Sequence, residues 1–125
     1  MIHHRTLIQS FGFALQGIKY ALMNDQNFRV HIAVALIVIA ASIYFDVNPF
    51  EMGILGVMIV LVIATEMINT AIENMVDLIT KEHREEAKIA KDVSSGMVLI
   101  SSLGALIVGF LIFTPHILDL LGIKH

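Results

Sequence analysis

The chain has no cysteine, so it can build neither a disulfide framework nor a thiolate metal site, and nothing about redox compartment follows. Charge is scarce as well: 15% of its 125 residues are Asp, Glu, Lys or Arg, where a soluble domain averages about 25%. Neither G-x-x-x-x-G-K-[ST] nor G-x-G-x-x-G occurs, which excludes the Gly-rich phosphate loops of soluble nucleotide-binding proteins. The histidines His3, His4, His31, His83, His116 and His125 never fall two or three together at a ligand spacing, and they read as interfacial or terminal residues. No basic face suggests nucleic acid, and no repeat or low-complexity tract is visible. Apolar residues are abundant, at 57% with a mean hydropathy of +0.81, so the expected solvent is the bilayer. The length is that of one domain, and function must sit inside it or be shared between copies.

Residues 1–29 carry a polar residue every few positions and lack the apolar core of a cleaved leader. From 5 to 28, Phe11, Ala14, Leu15, Ile18 and Leu22 share one helical face, opposite Gln9, Gln16 and Lys19. This predicts an amphipathic surface helix lying in the membrane interface. Three spans follow. The first covers 29–46, provided that Arg29 and His31 snorkel toward the headgroups, and it ends at the turn Asp46, Asn48, Pro49. The second opens near Phe50 and its helical pattern runs to Thr80, which at 1.5 Å per residue is roughly 45 Å against about 30 Å of hydrocarbon, so its end should project into water. The third covers 87–113 and ends before Pro115. The fold class is thus an all-α membrane protein, a surface helix followed by three transmembrane helices in a single domain. Arg5, Lys19 and Arg29 precede the first span and Lys81, Arg84, Lys88 and Lys91 lie between the second and third, which places the N-terminus in the cytoplasm and the C-terminus outside.

Glu66, Asn69, Glu73 and Asp77 follow an i, i+3, i+7, i+11 spacing and fall within roughly 80° of one helix face. A carboxylate at the depth of Glu66 costs about 2.5 to 3.5 kcal/mol, so it has a task or a partner. Interhelical hydrogen bonding accounts for Asn69 alone. It does not account for several acids on one stripe, which repel one another unless a cation lies between them. Mg2+, a hard ion held by one or two carboxylates plus substrate phosphates, suits such a stripe and points to phosphoryl transfer. Lys91 and Asp92, and Asn24 and Asp25 at the end of the surface helix, lie at the same membrane level as Glu73.

The run Glu66-Met67-Ile68-Asn69-Thr70-Ala71-Ile72-Glu73, followed by Val76-Asp77, resembles the small bacterial lipid kinases, diacylglycerol kinase and the related undecaprenol kinase. Ala87-Lys88-Ile89-Ala90-Lys91-Asp92 and the segment from Asn24 to His31 carry the same resemblance, which extends from about Ser10 to Phe113. It implies a homotrimer in the bacterial cytoplasmic membrane with composite sites between protomers, ATP and Mg2+ on the cytoplasmic side, and a lipid alcohol entering from the bilayer. It also implies Glu66 as general base and Glu73 as a magnesium ligand, with Asn69, Asp77, Lys91 and Asp92 shaping the nucleotide site and Ala14 joining Glu66 and Asn69 on the lipid substrate. Asp25 stands where the family usually has a glutamate metal ligand. Being one methylene shorter, it must sit closer to the metal or reach it through water.

Asn27-Phe28-Arg29-Val30-His31 and Met67-Ile68-Asn69-Thr70 look more like the undecaprenol-kinase branch, so undecaprenol is the expected acceptor and diacylglycerol the alternative. A small proton-coupled carrier would also need a membrane carboxylate, but such carriers use four spans and do not gather acids beside lysines at one face. A structural or regulatory membrane subunit would leave the acidic stripe without a purpose. Gly96, Ser101, Ser102, Gly104, Ala105 and Gly109 read as helix-packing positions, and Met52, Met58, Met67, Met75 and Met97 as filler or lipid contacts.

Overall fold

The computed structural model describes residues 5–125, so His3 and His4 lie outside the described residues. Thr6 starts the first helix with a capping box: its Oγ1 accepts from the Gln9 N–H at 3.2 Å, and Gln9 Oε1 accepts from the Thr6 N–H at 3.0 Å. Helix α1 spans Leu7–Asn24. The surface helix expected over 5–28 is divided at Asp25, whose extended backbone closes α1 and whose carboxylate caps the next helix, α2, at Gln26–Tyr44. Asn48 caps α3, accepting from the Glu51 N–H at 2.8 Å, and Pro49 occupies the first turn, where no donor is missed. Helix α3 spans Pro49–Ile79 and α4 spans Glu85–Leu120. The last of these runs through Pro115 to Leu120, seven residues beyond the expected end at 113. The proline lacks only the N–H that would have met the Leu111 carbonyl, and membrane helices tolerate such a loss where neighbouring groups re-satisfy the backbone.

Helices α2, α3 and α4 are each long and apolar enough to cross a bilayer. Helix α3, at 31 residues, is about 46 Å long and α4, at 36, about 54 Å, so both exceed the hydrocarbon thickness of about 30 Å. Their packing seams repeat every seven residues. Ala21, Phe28, Ala35 and Ser42 are buried along α1 and α2, Leu55, Val62 and Asn69 along α3, and Ser94 and Ser101 along α4. Within each helix this spacing keeps the buried positions on one face.

Among the described residues, half of the twelve that are buried are polar: Ser42, Thr65, Glu66, Asn69, Ser94 and Ser101. Between α3 and α4, Thr65 and Ser101 share a hydroxyl contact at 2.9 Å, and Ser94 Oγ donates to Asn69 Oδ1 at 2.7 Å. In lipid, apolar side chains gain nothing by leaving hydrocarbon for a protein interior, so small and hydrogen-bonding residues make the seam. Gly104 belongs to it, since a Cβ there would lie 3.6 Å from Met58 Cε, whereas Gly96 and Gly109 face open space within this chain. At the far end, His116 Nε2 lies 3.4 Å from Glu51 Oε2 and stacks near Phe45, closing α3 on α4. The chain exposes 9571 Å², where a compact soluble monomer of 13.8 kDa would expose about 6,600 Å². Large apolar side chains such as Leu36, Ile37, Val57, Val60, Leu106 and Phe110 make up much of that exposed surface.

Candidate active site

Glu66 is 2% exposed, at mid-length of α3 and turned toward α2. Its neighbour there is His31, whose Nε2 lies 3.6 Å from Glu66 Oε2. His31 lies on the side of α2 that carries Phe28 and Ala35, three residues before it and four after. Arg29 turns back on α1, donating from Nη1 to the carbonyls of Leu22 at 3.0 Å and Met23 at 3.2 Å, a cation on the negative end of that helix.

One turn along α3 from Glu66, Asn69 accepts from Ser94 and points Nδ2 at Glu73 Oε1, 3.4 Å away. Asp25 reaches the same level from the α1–α2 joint. Its Oδ1 accepts from the Phe28 N–H at 3.1 Å and its Oδ2 accepts from the Thr70 hydroxyl at 2.6 Å. Burial alone would push the Asp25 carboxyl upward, but the Thr70 hydroxyl and the Phe28 N–H outweigh it and hold the group below its ordinary value. Thr70 lies four residues after Glu66 and three before Glu73, so the shorter acid is brought between them. Its reach is supplied by the joint and not by the side chain.

Further along, Lys91 Nζ donates to Asp77 Oδ1 at 2.7 Å, and both line a cleft of about 640 Å³ between the ends of α3 and α4. Asp92 lines it too, paired with Lys88 at 2.6 Å. The sequence reading did not single out Thr80, Lys81, Glu82, His83 and Arg84, which complete the wall. The signal for them was the concentration of charge in the short connection between two spans. Along the α3 axis Glu66 and Asp77 are eleven residues apart, about 16 Å, with Glu73 one turn below Asp77. Glu66, Asn69 and Glu73 thus follow one another along α3 toward its cleft end, with Asp25 tied in beside them through Thr70. Ala14 is exposed on α1, where only Ala21 is buried.

Among the described residues no three His, Asp or Glu side chains gather closely enough to hold a metal by themselves. Mg2+ does not require that: one or two carboxylates suffice where phosphate oxygens and water fill its octahedron. The all-oxygen pair Asp25 and Glu73 fits an ion that arrives with a nucleotide.

A buried acid midway along a membrane-length helix lies on the same helix as a cleft lined by four basic and four acidic side chains, and the comparisons with known sequences say what kind of protein carries them. Residues 12–113 match the family described as prokaryotic diacylglycerol kinase. A diacylglycerol kinase of Synechocystis sp. is 36% identical over 92% of this chain and 66% of its own length. An undecaprenol kinase of Bacillus subtilis is 36% identical over 87% of this chain and 89% of its own, and a diacylglycerol kinase of Escherichia coli is 30% identical over 88% and 90%. The chain belongs to the prokaryotic diacylglycerol kinase family and is a multi-pass membrane lipid kinase.

Proposed function

We propose that this protein transfers the γ-phosphoryl group of ATP to the hydroxyl of undecaprenol, at the cytoplasmic face of the bacterial inner membrane. The observation that carries this reading is Glu66, a buried carboxylate at lipid depth, followed along α3 by Asn69 and Glu73 toward the cleft. Glu66 accepts the proton of the lipid hydroxyl as its oxygen bonds to the γ-phosphorus. The bond from that phosphorus to the bridging oxygen of ADP breaks, and ADP leaves with the charge. Lys91, Lys81, Lys88 and Arg84 face the polyphosphate, and Asn69 orients Glu73. Mg2+ bound by Glu73 and Asp25 supplies positive charge to the phosphate oxygens. The joint at Asp25 keeps α1 against this end of the bundle, where α1 lies in the interface with Ala14 toward the lipid substrate.

A homotrimer with sites shared between chains fits the large apolar surface and the small residues Gly96 and Gly109, which meet nothing within one chain. The N-terminus is cytoplasmic and the C-terminus outside, from the placement of lysine and arginine.

Diacylglycerol is the second reading, favoured by the relatives from Synechocystis sp. and Escherichia coli. Overall identity does not separate the two, being 36% to one relative of each kind. The segment from Asn27 to His31, which places a histidine on Glu66, supports undecaprenol. The test is magnesium-dependent transfer of labelled phosphate from ATP to the two alcohols side by side in mixed micelles. Preference for undecaprenol is expected; preference for diacylglycerol keeps the kinase and overturns the acceptor.

A further inference from the structure

The basic groups near the acidic stripe are nearly all committed elsewhere. Arg29 is bound to the end of α1, Lys91 to Asp77 and Lys88 to Asp92. From α2, His31 stands against Glu66 with its Nε2 at 3.6 Å and the ring 22% exposed, while the Asn69 amide, one turn along α3 itself, is shared between Glu66 and Glu73. Phe28, 1% exposed and three residues earlier on the same face of α2, fixes the register that aims it there. The acids at this level, Asp25 from the joint and Glu73 from α3 itself, offer Glu66 no N–H donor, so His31 is the donor that a second helix brings to it. A carboxylate serving as base must turn one oxygen to the incoming hydroxyl, and a donor on its other oxygen fixes that orientation.

We infer that His31 is a positioning residue for phosphoryl transfer: its Nε2–H holds Glu66 Oε2 and leaves Oε1 to the lipid hydroxyl. This rests on the reading of Glu66 as the base. The separation is slightly longer than a hydrogen bond, as catalytic contacts are before substrate binds, and shortens by a few tenths of an ångström in the complex. The imidazole donates in its neutral form as well as its charged one, so the role requires no protonation change. On this account His31 acts on turnover and not on affinity, which separates it from a residue that lines the lipid groove.

The experiment compares kcat and KM for ATP and for the lipid alcohol in wild type, His31→Leu and His31→Gln, with thermal unfolding in detergent as the check on folding. His31→Leu is expected to lower kcat roughly 10- to 100-fold, part of the 10²- to 10⁴-fold that a general base contributes, with both KM values within about threefold. His31→Gln, which returns an N–H donor, is expected to recover most of the rate. An unchanged kcat in the leucine variant, or a loss confined to the lipid KM, overturns the role. Should the leucine variant not fold, His31→Asn, whose donor is too short to reach, replaces it with the same expectation. A further arm places His31→Leu in a Glu66→Gln background, where no additional loss of the residual rate is expected because the two act as a unit; an additive loss refutes the coupling. Full turnover by Glu66→Gln alone defeats the base assignment itself, whereas an inactive Glu66→Gln beside a normal His31→Leu defeats only the inference about His31.

Discussion

Replacing Thr70 by valine removes one hydroxyl and keeps the shape of the side chain. That hydroxyl donates at 2.6 Å to Asp25 Oδ2, the bond that ties the α1–α2 joint to α3. Asp25 keeps its cap bond from the Phe28 N–H and its contacts with the Asn27 N–H and the Glu66 side chain, but the freed oxygen loses its short bond from Thr70 on α3. A hydrogen bond to a charged group contributes about 1.5–3 kcal/mol. At 1.4 kcal/mol per tenfold, opening of the joint should rise roughly 10- to 100-fold. Hydrogen exchange of the amides from 21 to 30, measured in detergent micelles with chelator present, reads this directly. The far end, held by Glu51 and His116, should keep its protection. Because the folded Asp25 carboxyl lies below its ordinary value, the tie contributes fully at neutral pH and fades as pH falls through that lowered value. The ratio of variant to wild-type exchange should accordingly shrink in acid. Thr70→Ser should restore protection. Equal exchange of the joint in wild type and Thr70→Val at neutral pH would show that Asp25 is held by its capping role alone.

Glu66→Gln should lower turnover by 10²-fold or more while nucleotide binding persists, since a base is lost and no phosphate contact is; near-normal turnover would falsify its role. For Glu73→Gln the magnesium titration of activity should move to much higher concentration or vanish, and an unmoved titration would take Glu73 out of the metal site. Mixing inactive Glu66→Gln chains with inactive Lys91→Ala chains should recover part of the activity, because some sites would then draw both intact residues from different protomers. Absence of any recovery in mixed trimers would place each site within one chain.

Much of this protein was legible in one dimension. Hydropathy alone marked three spans, because a bilayer demands a run of apolar residues about as long as it is thick. Asn48 and Pro49 announced the start of α3, and the acids Glu66, Glu73 and Asp77 declared a common face, because the geometry of a single helix is set by its own backbone. The tie of Lys91 to Asp77 was approachable as well, since both sit where spans reach the same membrane level.

What the chain could not disclose by itself was every pairing that depends on how one helix meets another. His31 read as a snorkelling residue, and its place opposite Glu66 depends on where α3 stands against α2. Asp25 read as a shortened acid at a metal-ligand position, and nothing in the sequence showed that it caps α2 and accepts from Thr70 on another helix. Lys81 to Glu86 read as a mere connection until the ends of α3 and α4 were brought together around a cleft. Sequence determines which residues share a face, through the fixed rotation per residue. Only tertiary packing decides which faces meet and in what register, because that depends on the fit of small and polar side chains along crossing helices.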